Sequence, residues 1–145
     1  LKNLSFLVLL TLFLWISCKD RGVAPYLAHY DIPAKNISYI RDLQPMFNGK
    51  CGFGSNCHSP ENPENLLFFG NRDVFIQHVI PGQDKPLVDP GIDRFSPKQA
   101  PLYHIVTESL YAGFEIMPPF TYNRPRLTDA EIEGIRQWIS EGAGE

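Results

Sequence analysis

The feature that most constrains this chain is the stretch "GKCGFGSNCHSP", which starts at Gly49. It holds Cys51, a five-residue spacer from Gly52 to Asn56, and then Cys57 followed at once by His58. Two thiols this near in sequence are joined to each other or held by a common third party, and the adjacent imidazole offers that party a nitrogen ligand. A disulfide loop, a metal site and a cofactor attachment point all fit the residue types. A structural zinc site is the weakest of these, because Cys51, Cys57 and His58 supply three ligands with no obvious fourth nearby.

The compartment bears on the choice. Lys2 is followed by an uncharged apolar run from Leu4 to Ser17, "LSFLVLLTLFLWIS". Its fourteen residues fall short of the ~20 that cross a bilayer as a helix, and it ends in a small residue. Residues 1–17 therefore read as a secretory signal, with an uncleaved N-terminal anchor as the alternative; both export the rest of the chain. Cys18 comes next, and "WISCKD" resembles the lipobox of bacterial lipoproteins. That resemblance implies a diacylglyceryl group on Cys18, which cleavage would make the new N-terminus, and an exported, membrane-anchored protein in the periplasm or at the cell surface. Trp15 departs from the pattern, where Leu is usual, and a chance cysteine at an ordinary cleavage site is the alternative. Lipidation at Cys18 leaves Cys51 and Cys57 as a pair among the three cysteines.

With 145 residues, 43% apolar and 20% charged, the chain has material for one domain and is not disordered throughout. A net charge of −3 with scattered basic residues gives no footprint for nucleic acid. Thirteen prolines favour short helices and long irregular connections. Residues 18–37 read as a tether and 38–145 as the domain. Asp42 is a candidate N-cap for "DLQPMFNGK", with Pro45 in the first turn, Leu43, Met46 and Phe47 on one face, and Gly49 as a stop. In "LTDAEIEGIRQWISEGA", Thr128 and Glu131 form a capping box. Ile132, Ile135, Trp138 and Ile139 follow at helical spacing, and Gly142 ends the helix. A third helix is expected from Pro101 to about Ser109, and "NRDVFIQHVI" fits a short helix or a strand. A Pro-rich loop separates Pro81 from Pro101. These apolar faces are few, so the sequence predicts a thin core unless a bound macrocycle fills it.

A cysteine, a spacer and Cys-His meet the demands of covalent haem attachment. Two thiols add to the two vinyl groups, and the histidine beside the second thiol reaches the iron. The usual spacer has two residues; the five here include two glycines, flexible enough to bulge while the ends stay close. A second axial ligand must come from far along the chain. Met46 reads as core, whereas Met117 sits in "EIMPPF", where two prolines restrain the backbone. A thioether ligand raises the reduction potential, which suits an electron carrier.

With these residues together, the chain resembles bacterial monohaem cytochromes c of the class I type. "LQPMFNGKC", "CHSP", "VIPG", "APLYHIV", "IMPP" and "LTDAEIEGIRQWISEGA" follow that family's run of motifs from Leu43 to Ala143, about 100 residues. The resemblance implies a small all-α domain wrapped round one covalent haem c, with long Pro-rich loops. Cys51 and Cys57 would be the thioether anchors, His58 the proximal ligand and Met117 the distal one. It implies an electron carrier rather than an enzyme, exchanging single electrons with redox partner proteins beside or within an oxidoreductase. The five-residue spacer and the insertion "QDKPLVDPGIDRFSPKQ" depart from the family pattern.

Other readings stay open at this level. His78 or His104 in place of Met117 would give a bis-imidazole site of lower potential. His29 falls in the tether, and Tyr103 and Trp138 suit either a porphyrin edge or ordinary core. Glu131 and Glu133 do not read as a catalytic pair, because the capping box employs the first. A disulfide-stapled structural or binding lipoprotein, with Cys51 joined to Cys57 for ~2–3 kcal/mol, explains the long spacer but not the Cys-His adjacency. A haem sensor with an open distal position predicts carbon monoxide binding and indifference to Met117→Ala.

Overall fold

The first helical segment is capped four residues before the predicted cap, Asp42. In a computed structural model that describes residues 28–52, 58, 67, 69–120 and 125–145, Ser38 is the N-cap and its hydroxyl accepts from the Arg41 amide at 3.1 Å. Asp42 acts in the opposite direction, its carboxylate accepting from the Ser38 amide at 2.8 Å. Ser38 thus displaces Asp42 as the cap because a short hydroxyl side chain reaches the first orphan amides while Asp42 closes the reciprocal bond. One π turn, Tyr39–Leu43, leads into α1, Gln44–Lys50. Pro45 occupies the first turn of α1, where its missing N–H costs nothing. Gly49 does not stop the helix; it is buried inside the last turn and Cys51 is the C-cap. The apolar run at the N-terminus, Cys18 and Cys57 lie outside the described residues.

The ambiguous stretch resolves as helix α2, Arg72–Gln77, capped by Asn71 Oδ1 accepting from the Val74 amide at 3.0 Å. The Pro-rich loop after it is packed rather than loose. Leu87 and Val88 are buried, their amides donate to His78 and Ile76, and single 3-10 turns form at Asp93–Phe95 and Pro97–Gln99. Helix α3, Pro101–Thr107, buries Leu102, Ile105 and Val106 on the expected face. After it comes a hairpin that the sequence does not announce, β1 (Leu110–Tyr111) with β2 (Phe114–Glu115). Its two turn residues, Ala112 and Gly113, both have positive φ, 54° and 83°, the backbone that a tight two-residue hairpin requires.

Helix α4, Asp129–Ser140, has the full capping box at Thr128 and Glu131. It buries Ile135, Trp138 and Ile139 completely, and Gly142 at φ 91° ends it. Ile132 is only half-buried at the edge of that face. Ahead of Ser38 the chain is not a loose tether. Asn36 and Ile37 donate both amides to the Glu141 carboxylate at 2.9 Å, and Ile32 lies where a Cβ on Gly134 would meet it at 2.5 Å. Tyr30 and Ile32 pack on the core. Residues 30–37 form a strap running along α4 from its first turn to its last, so the packed body starts before Ser38.

Nor is the core thin. Tyr39, Phe47, Phe69, Phe75 and Trp138 form one aromatic cluster with centroid spacings from 5.1 to 6.4 Å, close enough for ring pairs to add to area burial. Phe69 is fixed by its carbonyl, which accepts from the Tyr39 hydroxyl and the Gln44 side-chain amide. The five rings supply bulk that the aliphatic residues around them close over. No described helix is long and apolar enough to cross a membrane.

Candidate functional site at the end of α1

Cys51 stands where α1 runs out. Its amide and that of Gly52 both donate to the Phe47 carbonyl, at 2.8 and 2.9 Å. A Cβ on Gly52 would lie 3.0 Å from the Asn48 backbone, so the chain turns close under the helix where a side chain would crowd it. The return is marked by the His58 amide, which donates to the Cys51 carbonyl at 3.0 Å. His58 is therefore brought back to Cys51 at the end of α1. The His58 ring meets Phe69 edge-on, with centroids 5.7 Å apart and planes at 76°.

Met117 comes from the other side of the chain. The hairpin turns the backbone round, and the Met117 amide donates to the Ile105 carbonyl of α3 at 2.8 Å. Its side chain is half-buried and packs against the same core that Cys51 borders and that holds Phe69. The Met117–Pro118 bond is cis and Pro118 is buried. Met46 is fully buried among core side chains, as its core reading anticipates.

The remaining histidines differ in their surroundings. His104 stacks on Tyr111 at 5.0 Å and 12°, and its Nδ1 contacts Glu108 Oε1 at 2.5 Å, so the hairpin and its own helix engage it. His29 is exposed and pairs with Asp31 at 3.2 Å. His78 is half-buried, and burial, then the nearby His58, favour its neutral form. The sequence offers His78 only as a candidate ligand and gives no sign that it neighbours His58.

Two further features escape the sequence. Lys50, directly before Cys51, is buried and pairs with Glu131 at 2.8 Å. Tyr30 of the strap lies in the same neighbourhood: its phenol is pushed up by burial, then by the charge of Glu131, then by Cys51. Nothing local signals either contact, since Lys50 and Glu131 are far apart in sequence. Glu131 makes its expected capping box and takes the lysine as well.

The structure brings His58 to Cys51 and sets Met117 against the same core, while Cys57 lies outside the described residues. These residue types fit a covalent haem, in which soft and borderline ligands hold iron and thiols hold the macrocycle. Among the described residues no group of three or more His, Cys, Asp or Glu side chains could hold a bare metal ion. Comparisons with protein-family models, curated protein sequences and solved structures find no significant match.

Proposed function

We propose that the chain is an exported, membrane-tethered, monohaem c-type cytochrome that transfers single electrons. The observation that supports this most directly is the His58-to-Cys51 hydrogen bond of 3.0 Å. It brings the two ends of the five-residue spacer together, which supports attachment of both cysteines to one haem despite the longer spacer. Cys51 and Cys57 would anchor the haem, and His58 and Met117 would coordinate its iron. Bound haem supplies a one-electron iron couple. Phe69 limits rotation of the His58 ring, and the Met117 amide bond to α3 fixes where the thioether starts. The half-buried setting of Cys51, His58 and Met117 would leave one edge open to a redox partner protein, and a lipid on Cys18 would hold the domain to a membrane.

The test is a pyridine haemochrome spectrum of the full chain, made in a host with cytochrome c maturation, after acid–acetone extraction. Haem that stays with the polypeptide, with band positions of two thioethers, is the expected result. A colourless polypeptide from a competent host would sink the reading. The same loop closure also suits a Cys51–Cys57 disulfide in an exported structural lipoprotein, and that second reading predicts the colourless outcome together with a mass lower by two hydrogens than the reduced chain.

A further inference from the structure

The arrangement with the least structural justification lies one residue before Cys51. Lys50 is 4% exposed and Glu131 is 0% exposed, and they meet at 2.8 Å. Burying both charges is repaid only when the remaining lone pairs and protons find partners. Glu131 Oε2 accepts from the Lys50 ammonium and from the Thr128 amide, each at 2.8 Å, while Oε1 is buried with no hydrogen-bond partner among the described residues. The capping box does not require the charge, because a glutamine at the same position caps as well. Nor does the core require it, because buried ion pairs are commonly replaced by neutral side chains of similar volume at no loss. The strap packs Tyr30 on the core near enough to Glu131 and Cys51 for their charges to act on its phenol, and Ile32 lies against Gly134.

We propose that Lys50 and Glu131 are a compensating charge pair, each keeping the other's buried charge from shifting the reduction potential of a haem bonded at Cys51. The proposal rests on the cytochrome reading. An arriving electron adds one negative charge beside Cys51, and no bond forms or breaks. A buried anion opposes that charge and a buried cation favours it, with little screening by solvent or salt. Held together, the two cancel to a short dipole; removing either one unmasks the other. Both are positioning residues, since neither touches the iron.

The test is a spectroscopic redox titration, with dithionite as reductant and ferricyanide as oxidant, of the full haem-loaded chain and three variants. Lys50→Met is expected to lower the potential and Glu131→Gln to raise it, each shifting the one-electron equilibrium about tenfold, or ~59 mV. The double variant should return close to the unaltered protein. Single variants that move in the same direction, or that do not move, overturn the proposal, because a merely loosened site would shift both alike. Thermal unfolding of the haem-free full chain gives an independent readout. Each single variant should lower the Tm by more than the double variant does, and a double variant that is worse than either single overturns the compensation. A colourless unaltered chain would overturn the cytochrome reading and this proposal with it. A normal c-type spectrum with same-direction shifts would overturn the role of the pair alone.

Discussion

Helix α4 and the loop after α1 border the same core but are specified in different ways. Helix α4 is determined several times over by neighbours in sequence: a complete capping box, three fully buried residues at helical spacing, and a glycine at φ 91° to end it. The ring nitrogen of Trp138 adds a bond to the Gly144 carbonyl at 2.8 Å, and the Ala143 amide returns to Trp138. Cys51 and His58, at the two ends of the spacer, are instead joined by a backbone hydrogen bond, and His58 meets a ring, Phe69, whose carbonyl is held by Tyr39 and Gln44 from another segment. Redundancy is found where the chain must hold together. Cys51, His58 and Met117, the residues proposed to bond a haem, are left half-buried.

The sharpest challenge to this contrast is Trp138→Ala, which removes the largest fully buried side chain. It is expected to cost about 3–5 kcal/mol, enough to unfold much of the protein, as denaturant midpoints would show. If the loss is under about 1 kcal/mol, α4 does not carry the core. Gly134→Ala should cost about 1–3 kcal/mol by overpacking against Ile32, and faster hydrogen exchange at the Asn36 and Ile37 amides would show that the strap has lifted. Unchanged exchange at those amides would mean that the strap is not seated on α4. Met117→Ala should lower stability by at most about 2 kcal/mol, the bottom of the range for buried methionines, because its side chain is half-buried. The same variant should change the visible spectrum and potential of the haem-loaded protein. A variant that unfolds without altering the spectrum would make Met117 a core residue and nothing more.

The smallest expected effect concerns pH. Burial works to raise the Glu141 pKa, but hydrogen bonds from Gln137 and from the Ile37 and Asn36 amides outweigh it and hold the carboxyl below its usual value. A carboxyl depressed in the folded state adds stability that is complete above its unfolded pKa and is lost as pH falls through the folded one. Glu141→Gln should therefore flatten the acid side of the stability profile and leave stability at neutral pH changed only slightly. An unchanged acid slope would show that the strap bonds contribute nothing.

Local rules suffice for some elements and fail for others. Helices α1, α3 and α4 are legible in the sequence because capping residues, apolar spacing and proline positions act within a few residues of each other. Ser38 replaces Asp42 as cap because both are competent and the reciprocal bond between them settles the boundary. The hairpin at Ala112 and Gly113 is hidden because Ala-Gly is not a strong turn signal, and its strands are two residues each. The strap is hidden because its partners, Gly134 and Glu141, lie about a hundred positions away.

The sequence by itself determined the helical segments, the adjacency of Cys57 and His58, and the reservation of Met117 for a Pro-restrained turn. Each of these is a short-range matter of dihedral preference, capping or covalent neighbourhood. Only the tertiary structure decided that His58 returns to Cys51, that Phe69 stands against His58, and that residues 30–37 lie along α4. It alone buried Lys50 against Glu131. Burial and pairing of that kind depend on how the core excludes water between segments distant in the chain, and no local pattern encodes which distant surface a side chain will meet.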